Sequence, residues 1–487
     1  MAQYSRQEFF EWASCLGIFV SVLLLAGCAF GQTAPPDPSK PYFSSTQERI
    51  HQELQGRPPV AFEFNPTTVY TLSALIDIAE SRSPETREAW QAARARAAAV
   101  GIAKSELFPT LEAYIFGFTN QNGVLLYNQF VLQDQGIGDV GLALQYTLFD
   151  GGARRDRIHE QRNLLQAANY GFNDSHRKLI FAVTEAYYQL LSAAGQREAA
   201  EVNLKSAEAV AEATQARFDN GLATSPDVAE ARSAAAQARY DLQIRVGEEQ
   251  KASGSLATLL TAPAYSRFQV ESINALRLPD QMPDNARELI EHALRERPDL
   301  LQQVALLDAA KAAEKNARKA YFPTLAFSGD LDRLRAWGEQ PPYPTAYAPG
   351  TVYTATLKLG WTVFDGRRRE NTIAQAKADE KRAESAIDAA RDQIETEVWI
   401  AYVNAQTALR QRDAAKALLQ ASQESYDMSL EAYHDGVRNI LDVLQAERQL
   451  AEARSEDVTA RVSLLNSIAE IAFRTGDLLR RQQGPHQ

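Results

Sequence analysis

The stretch RFDNGLATSPDV, residues 217–228, returns in altered form as AYHDGVRNILDV, residues 432–443. Both contain an aromatic residue, a glycine and a closing Asp-Val, and the two glycines, Gly221 and Gly436, lie 215 positions apart (436 − 221). Two further landmarks repeat at almost the same distance, FPTL at 108 and 322 and FDG at 149 and 364. Landmarks in one order at one offset indicate an internal duplication, with a unit far longer than a solenoid repeat.

Between FPTL and FDG, each half changes from helical to alternating periodicity. In ATLKLGWTVF, residues 355–364, apolar and polar side chains alternate, which predicts a strand with one apolar and one polar face. The predicted strands lie at about 110–119 and 139–149 in the first half, and at about 324–331 and 353–364 in the second. The intervening segment 333–350 is predicted to be an outward-facing loop.

After FDG, each half is predicted to form a long helical hairpin. No glycine or proline occurs from Arg367 to Asp435, and a helix of that length spans about 100 Å. Helices so long pack side by side as coiled-coil hairpins. The tips are predicted at about 218–227 and 433–442, where Gly221 and Gly436 allow the left-handed conformation that ends a helix. Ser225 and Asn439 are the predicted caps of the returning helices.

The N-terminus is typical of an export signal. An apolar run, LGIFVSVLLLA at 16–26, has the length of a signal sequence and ends in LAGC, residues 25–28. This resembles the lipobox of bacterial lipoproteins, in which the cysteine, here Cys28, is lipidated after cleavage. Ordinary cleavage after a small residue near Gly27 or Ala29 is the alternative. The only other cysteine is Cys15, so the body of the chain has no disulfide or cysteine-rich metal site.

Charge and motifs argue against nucleic-acid binding and against catalysis. The net charge of −11 disfavours phosphate backbones as partners. The six histidines lack metal-ligand spacing, and no nucleophile elbow or P-loop occurs. GIGDVG, residues 136–141, matches a dinucleotide-binding pattern, but a strand follows it where that motif needs a helix. It is predicted to be a loop, and neither a cofactor nor a metal is expected.

The ordered set of landmarks resembles the TolC-type outer-membrane efflux proteins, and the lipobox resembles the lipidated branch of that family. The resemblance covers roughly residues 70–476. It implies an α+β membrane protein, a homotrimer with a twelve-stranded transmembrane β-barrel continued by a long periplasmic α-helical barrel. It also implies a passive exit duct in the outer membrane. Its partners would be an inner-membrane efflux pump or ABC exporter, a periplasmic adaptor protein and outer-membrane lipid.

The same resemblance assigns the hairpin tips to the periplasmic entrance, closed at rest by tyrosine, arginine and aspartate side chains. The matching positions here are Asp227, Tyr433, Arg438 and Asp442. Rings of carboxylates at a narrow aperture attract cations, and Arg–Asp pairs can hold helices together. A second interpretation stays open for the two aspartates, because an acid in the first turn of any helix is favoured by the helix dipole.

Gly221 and Gly436 are structural turn residues that would also let the helix of an adaptor approach closely. The resulting organisation is a signal peptide at 1–27, a lipid-anchored segment at 28–68, repeats at 69–280 and 281–476, and a tail at 477–487. The alternative function is a lipid-anchored periplasmic coiled-coil scaffold or adaptor. The strands with an apolar face favour the channel, since an adaptor has no need of them.

Overall fold

The computed structural model describes residues 64–65, 68–126, 128–273, 276, 278–279, 285–340 and 343–478, all within the unit that spans residues 62–487. The predicted signal peptide, Cys28 and the end of the tail lie outside the described residues. Among the described helices, none is both long enough and apolar enough to cross a membrane.

The described chain contains the same order of elements twice. The first copy consists of β1 (Val69–Tyr70), α1 (Leu72–Arg82), α2 (Pro84–Ser105), β2 (Thr110–Leu126), β3 (Gln129–Phe149), α3 (Ala153–Asp219) and α4 (Ser225–Leu259). The second consists of β4 (Gln269–Val270), α5 (Ala286–Glu296), α6 (Pro298–Lys319), β5 (Thr324–Gln340), β6 (Tyr343–Gly360), α7 (Arg368–His434) and α8 (Ile440–Thr475). Helix α7 begins 215 positions after α3 (368 − 153), so the elements repeat at the offset of the glycines.

The four long strands form one antiparallel sheet in the order β2-β3-β5-β6, and the short β1 and β4 pair in parallel. The two hairpins therefore lie side by side, joined through β3 and β5, which pair from Phe149–Leu325 to Asp134–Glu339. Within the described residues, β2 and β6 are left as open edges.

The strands are longer than predicted, and two predicted loops are wrong. Residues 333–340 form the far half of β5, residues 343–350 form the first part of β6, and GIGDVG lies inside β3. Prolines suggested a loop, but within one chain β6 is an edge strand, where proline is tolerated. Two of the glycines, Gly136 and Gly141, leave room for close neighbours that are described below. Strand β6 also ends at Gly360, short of the predicted 364, because its partner Thr324 follows Pro323, which has no N–H to donate.

Each sheet-to-helix junction contains an aspartate that caps the following helix. The carboxylate of Asp150 accepts hydrogen bonds from the backbone N–H of Gly152 at 3.0 Å and of Arg154 at 2.9 Å. In the second copy, Asp365 accepts from the N–H of Arg369 at 3.2 Å. Each arginine also donates from Nε to its aspartate, which compensates a cation at the positive end of a helix.

Helices α3 and α7 each contain 67 residues, which corresponds to about 100 Å. Helix α3 packs closely on α8 at Gly195, where an added Cβ would lie 2.9 Å from a methyl group of Val458. The main core cluster joins α1, α3, α4 and α8, and its fully buried members include Leu75, Val183, Tyr187, Leu256 and Leu260. This packing holds the first helical hairpin against α8 of the second.

Candidate functional site at the hairpin tips

Both hairpin tips turn at a glycine in the left-handed conformation, as predicted. Gly221 and Gly436 each have a φ of 76°. After each glycine the next N–H bonds back to the helix, from Leu222 to the carbonyl of Arg217 at 2.8 Å and from Val437 to that of Ala432 at 2.9 Å. An added Cβ would meet nothing within 4 Å at either glycine. Backbone conformation therefore explains glycine here, while the open space leaves the turn accessible to another chain.

The helix after the first tip starts one residue earlier than predicted. Its cap is Thr224 and not Ser225, which is already helical. The side chain of Thr224 accepts from the N–H of Asp227 at 3.4 Å, while the carboxylate of Asp227 accepts from the N–H of Thr224 at 2.8 Å. This is a capping box, so Asp227 does stabilise the helix start. Threonine and serine are both good caps, and composition could not distinguish them.

The helix after the second tip is capped as predicted. The side-chain oxygen of Asn439 accepts from the N–H of Asp442 at 2.9 Å. The amide of Asp442 is thus satisfied by another residue, and its carboxylate is not engaged in the cap. Asp227 and Asp442 therefore occupy matching positions but differ in what their side chains do.

Tyr433 is buried at the end of α7, with 6% of its surface exposed. The guanidinium of Arg217, at the end of α3, lies 4.6 Å from the centroid of its ring. Arg217 also donates from Nη1 to the carbonyl of His434 at 3.1 Å. The hydroxyl of Tyr433 is buried and has no hydrogen-bond partner among the described residues. The ring, and not the hydroxyl, makes the contact within this chain.

Arg438 is exposed on the second tip, where its Nη1 lies 3.2 Å from the hydroxyl of Ser429. Among the ion pairs of the described chain, none within 4.0 Å joins Arg438 to Asp227 or Asp442. The structure thus brings Tyr433 next to the first hairpin through Arg217, and it leaves Arg438 and the two aspartates unpaired with each other.

An apolar cluster lies next to the second tip, between α3, α7 and α8. Its buried members are Val210, Tyr426, Tyr433, Ile440, Val443, Ala446 and Leu450. Glu447 lies at a buried position of α8, with 8% of its surface exposed. Its Oε1 has no hydrogen-bond partner in the described chain. Burial raises the pKa of this carboxyl to about 7, against a smaller opposing effect of Arg454.

Sequence reasoning missed Arg217, Glu447 and Arg454, although the last two carry a signal. Ile440, Val443 and Leu450 follow heptad spacing, and Glu447 and Arg454 continue the same core positions. A charge at such a position predicts a buried polar contact. Arg454 indeed donates to the side-chain oxygen of Asn203 at 2.8 Å and of Gln423 at 3.1 Å.

The two copies of the fold correspond to a match with one known family. Residues 75–262 and 289–477 match the family described as "Outer membrane efflux protein". The two matched segments correspond to the two copies of the fold and cover well over half of the 487 residues. The chain therefore belongs to the outer membrane efflux protein family, as the sequence landmarks predicted.

Named relatives agree with this assignment. The chain is 28% identical over 336 residues to the pyoverdine export outer membrane protein OpmQ of Pseudomonas aeruginosa, covering 67% of each chain. It is 22% identical to outer membrane protein TolC of Escherichia coli, covering 81% of this chain and 80% of TolC. The crystal structure of CusC superposes with a TM-score of 0.72 at 18% identity, covering 86% of this chain and 99% of CusC.

Membership of this family confirms the predicted transport class and location. The chain is an outer-membrane efflux channel that extends into the periplasm. The family is one of transport proteins and not of enzymes.

Proposed function

We propose that the chain is the exit duct of a tripartite efflux or type I secretion system. It would passively conduct substrates from an inner-membrane pump, or an ABC exporter, and a periplasmic adaptor to the outside. The observation that carries the proposal is the four-stranded sheet, which has two open edges, β2 and β6, and exposes apolar side chains such as Leu111, Leu357 and Leu359. An open edge in lipid leaves backbone groups unpaired, so the sheet calls for further strands from other copies.

A homotrimer supplies those strands. Three copies of four strands give twelve, and β2 of one copy would pair with β6 of the next to close a transmembrane β-barrel. The long hairpins α3–α4 and α7–α8 would then line a periplasmic tunnel. The apolar side chains exposed on the helices of one chain, such as Trp399, Val403 and Tyr240, suit burial between copies.

The hairpin tips would form the periplasmic aperture. Asp227, Tyr433, Arg438 and Asp442 are the proposed aperture residues, and Gly221 and Gly436 the proposed adaptor contacts. Arg438 is exposed and lacks an acidic partner in its own described chain, which suits an ion pair with a neighbouring copy. Three-fold rings of Asp227 and Asp442 would make the aperture cation-attracting.

The mature protein would also carry a covalent lipid on Cys28, which is the only cofactor-like group proposed. The lipobox LAGC supports this anchor. The names of OpmQ and CusC do not indicate which substrate this chain exports, and we assign no substrate to it.

Native mass spectrometry of the detergent-extracted protein tests the assembly and the anchor together. We expect a trimer in which each chain carries an added acyl mass on Cys28. A trimer without that mass would support the proposed duct and contradict the proposed lipid anchor. A monomer or dimer that stays in solution without detergent would overturn the duct and favour the lipid-anchored periplasmic scaffold.

A further inference from the structure

The register of the sheet assigns its side chains to two faces. Along β5, Leu325, Phe327 and Leu331 share one face, while Ser328 and the next even-numbered positions share the other. Cross-strand partners extend the first face with apolar residues, namely Leu111, Ile115, Leu142, Leu144, Tyr353, Leu357 and Leu359. The opposite face carries Glu112, Asp139, Asp330, Asp332 and Lys358, and near the level of Arg335 it also carries the exposed apolar residues Phe116, Phe118 and Ile137. The first face is therefore the lipid-facing one in the proposed duct.

Two arginines interrupt this apolar face at a defined height. Arg333 and Arg335 follow Leu331 on the same side of β5, and both are exposed. Arg335 is ten residues beyond Leu325, or about 34 Å along the strand. With a strand tilt of about 40°, this corresponds to about 26 Å of height, close to the apolar band of an outer-membrane barrel, about 25 Å. The arginines thus lie at the boundary farthest from the helices.

Neither arginine is neutralised by the described chain. Nη1 of Arg333 lies 3.0 Å from the hydroxyl of Thr351, and no ion pair within 4.0 Å includes either arginine among the described residues. The nearest acids on this face of β5 and β3 are the opposed pair Asp134 and Glu339, about 13 Å farther out along the strand. Two unpaired guanidinium groups at a lipid boundary call for an anion.

The glycines of GIGDVG lie on β3 beside Arg333 and Arg335, and each leaves space where a side chain would otherwise stand. Gly136 leaves room for the ring of Trp337, which an added Cβ would overlap. Gly141, on the other face, leaves room for Asp332, whose Oδ1 accepts from the hydroxyl of Tyr114 at 2.6 Å. Both of these glycines are explained by contacts within the chain.

Gly138 is not explained in this way. It faces Arg335 across the ladder, and an added Cβ would meet only the carbonyl of Arg335 at 4.0 Å. Gly117, the next residue in the same row, has nothing within 4 Å. A glycine inside a strand marks a bulge, a tight bend or a close approach by a ligand or another backbone, and the pairing at Gly117 and Gly138 is regular, without a bulge. Gly117 and Gly138 thus form a notch beside Arg335, flanked by Arg333 and Trp337.

We infer that this notch binds the phosphate group of a lipid headgroup in the outer leaflet. Arg333 and Arg335 would grip the phosphate through their planar N–H forks, and Trp337 with its cross-strand partner Tyr347 would lie at the headgroup level. Because Gly117 and Gly138 have no side chains, a sugar-phosphate headgroup can approach the backbone at these positions. The orientation of the site rests on the proposed exit duct, which places the far end of the sheet at the cell surface.

Binding of diphosphoryl lipid A to the detergent-extracted protein, followed by native mass spectrometry, tests the inference. We expect lipid adducts on the wild type, and about tenfold weaker binding for Arg333→Gln with Arg335→Gln, the loss expected for charged hydrogen bonds. Gly138→Val keeps both charges but fills the notch, and should also weaken binding. The matched control is Lys358→Gln, which removes a cation from the other face of the same sheet and should bind like the wild type.

Two further probes distinguish binding of a lipid phosphate from binding of free phosphate. They also distinguish failure of this inference from failure of the proposed duct. Dephosphorylated lipid A should bind weakly, and inorganic phosphate should not displace the lipid. Equal binding of dephosphorylated lipid A, or of the double variant, would overturn the inference while the trimer and its conductance stand. A wild type that forms no trimer would instead contradict the proposed duct.

Discussion

The guanidinium of Arg217 stacks on the ring of Tyr433 at 4.6 Å and ties the end of the first long helix to the end of the second. The same side chain donates to the carbonyl of His434 at 3.1 Å. The two hairpins of one chain are therefore joined immediately above their tips. Any widening of the proposed aperture that separates the hairpins must break this contact.

Replacing Arg217 should consequently loosen the aperture. Arg217→Gln removes the stacked cation and is expected to shift the closed–open balance by about tenfold, since a partly buried cation–π contact contributes about 1 kcal/mol and a charged hydrogen bond adds to it. Single-channel conductance in planar bilayers is the measurement. Tyr433→Phe is the matched control, because it keeps the ring and removes a hydroxyl that has no partner in the described chain. Equal conductance of wild type and Arg217→Gln would contradict the role of this contact.

The double variant Tyr433→Ala with Arg438→Ser tests the aperture residues proposed from the family resemblance. It removes the ring that packs against Arg217 and the exposed cation of the second tip. Conductance should rise above that of either single variant. Arg239→Ser, an exposed arginine on α4 whose partner is Glu208, serves as the control and should conduct like the wild type. Unchanged conductance of the double variant would remove both residues from the aperture.

Glu447 should make the second tip less stable as the pH rises. Burial raises the pKa of its carboxyl in the folded protein to about 7, above its value in the unfolded chain. The folded state therefore holds the proton more tightly, so this stabilisation is complete below about pH 4.5 and is lost as the pH rises through 7.

Glu447→Gln should accordingly stabilise the protein at pH 8 by about 1–2 kcal/mol, after allowance for solvent screening, and have little effect at pH 5. Thermal unfolding followed by circular dichroism at the two pH values measures this difference. Glu452→Gln, an exposed glutamate of the same helix, should show no such pH dependence. A Glu447→Gln effect of equal size at both pH values would show that the buried charge is not its cause.

Arg297 should be a major contributor to stability in the middle of the helical region. It is 3% exposed and donates to Asp299 at 2.6 Å and to Glu397 at 2.7 Å. Burial opposes ionisation of both acids, but the bonds from Arg297 outweigh it and hold each pKa below its ordinary value. The stability that these groups contribute is present above about pH 4 and is lost as the pH falls.

Arg297→Met should lower the free energy of unfolding at pH 7 by about 1–3 kcal/mol, because Asp299 then keeps only Arg177 at 3.5 Å and Glu397 keeps only Arg474 at 3.1 Å. The part of the acid sensitivity that comes from these two carboxylates should become smaller in the variant. Arg287→Met is the control, since its pair with Glu291 is exposed and contributes at most about 0.5 kcal/mol. Similar losses in the two variants would assign the effect to side-chain packing.

The helical half of the fold could be predicted from the sequence because its signals are local. The absence of glycine and proline after Arg367 predicted α7, and the glycines at 221 and 436 predicted both tips. The strands were underestimated because their far ends carry glycine, proline and arginine. Those residues belong there for reasons that only the sheet shows, such as the room that Gly136 leaves for Trp337.

The tips were predicted by position but not by contact. Arg217 lies 216 residues before Tyr433 (433 − 217), and nothing local to either residue indicates that they stack. Thr224 and Ser225 are both favourable caps, so only backbone geometry selects the former. Glu447 could have been found, since it continues the heptad positions of Ile440 and Val443.

Reconstitution of the detergent-extracted protein into planar lipid bilayers tests directly whether the chain forms a duct. If three copies close one barrel, we expect discrete, long-lived conductance steps. When the protein is added from one side of a bilayer that separates two salt concentrations, we expect the channel to conduct cations in preference to anions. Addition of a trivalent cation from the side of the tips should block the current by binding at the proposed carboxylate rings of Asp227 and Asp442. A protein that inserts as a trimer and yields no conductance steps under any voltage, even as the Tyr433→Ala, Arg438→Ser variant, would contradict the duct.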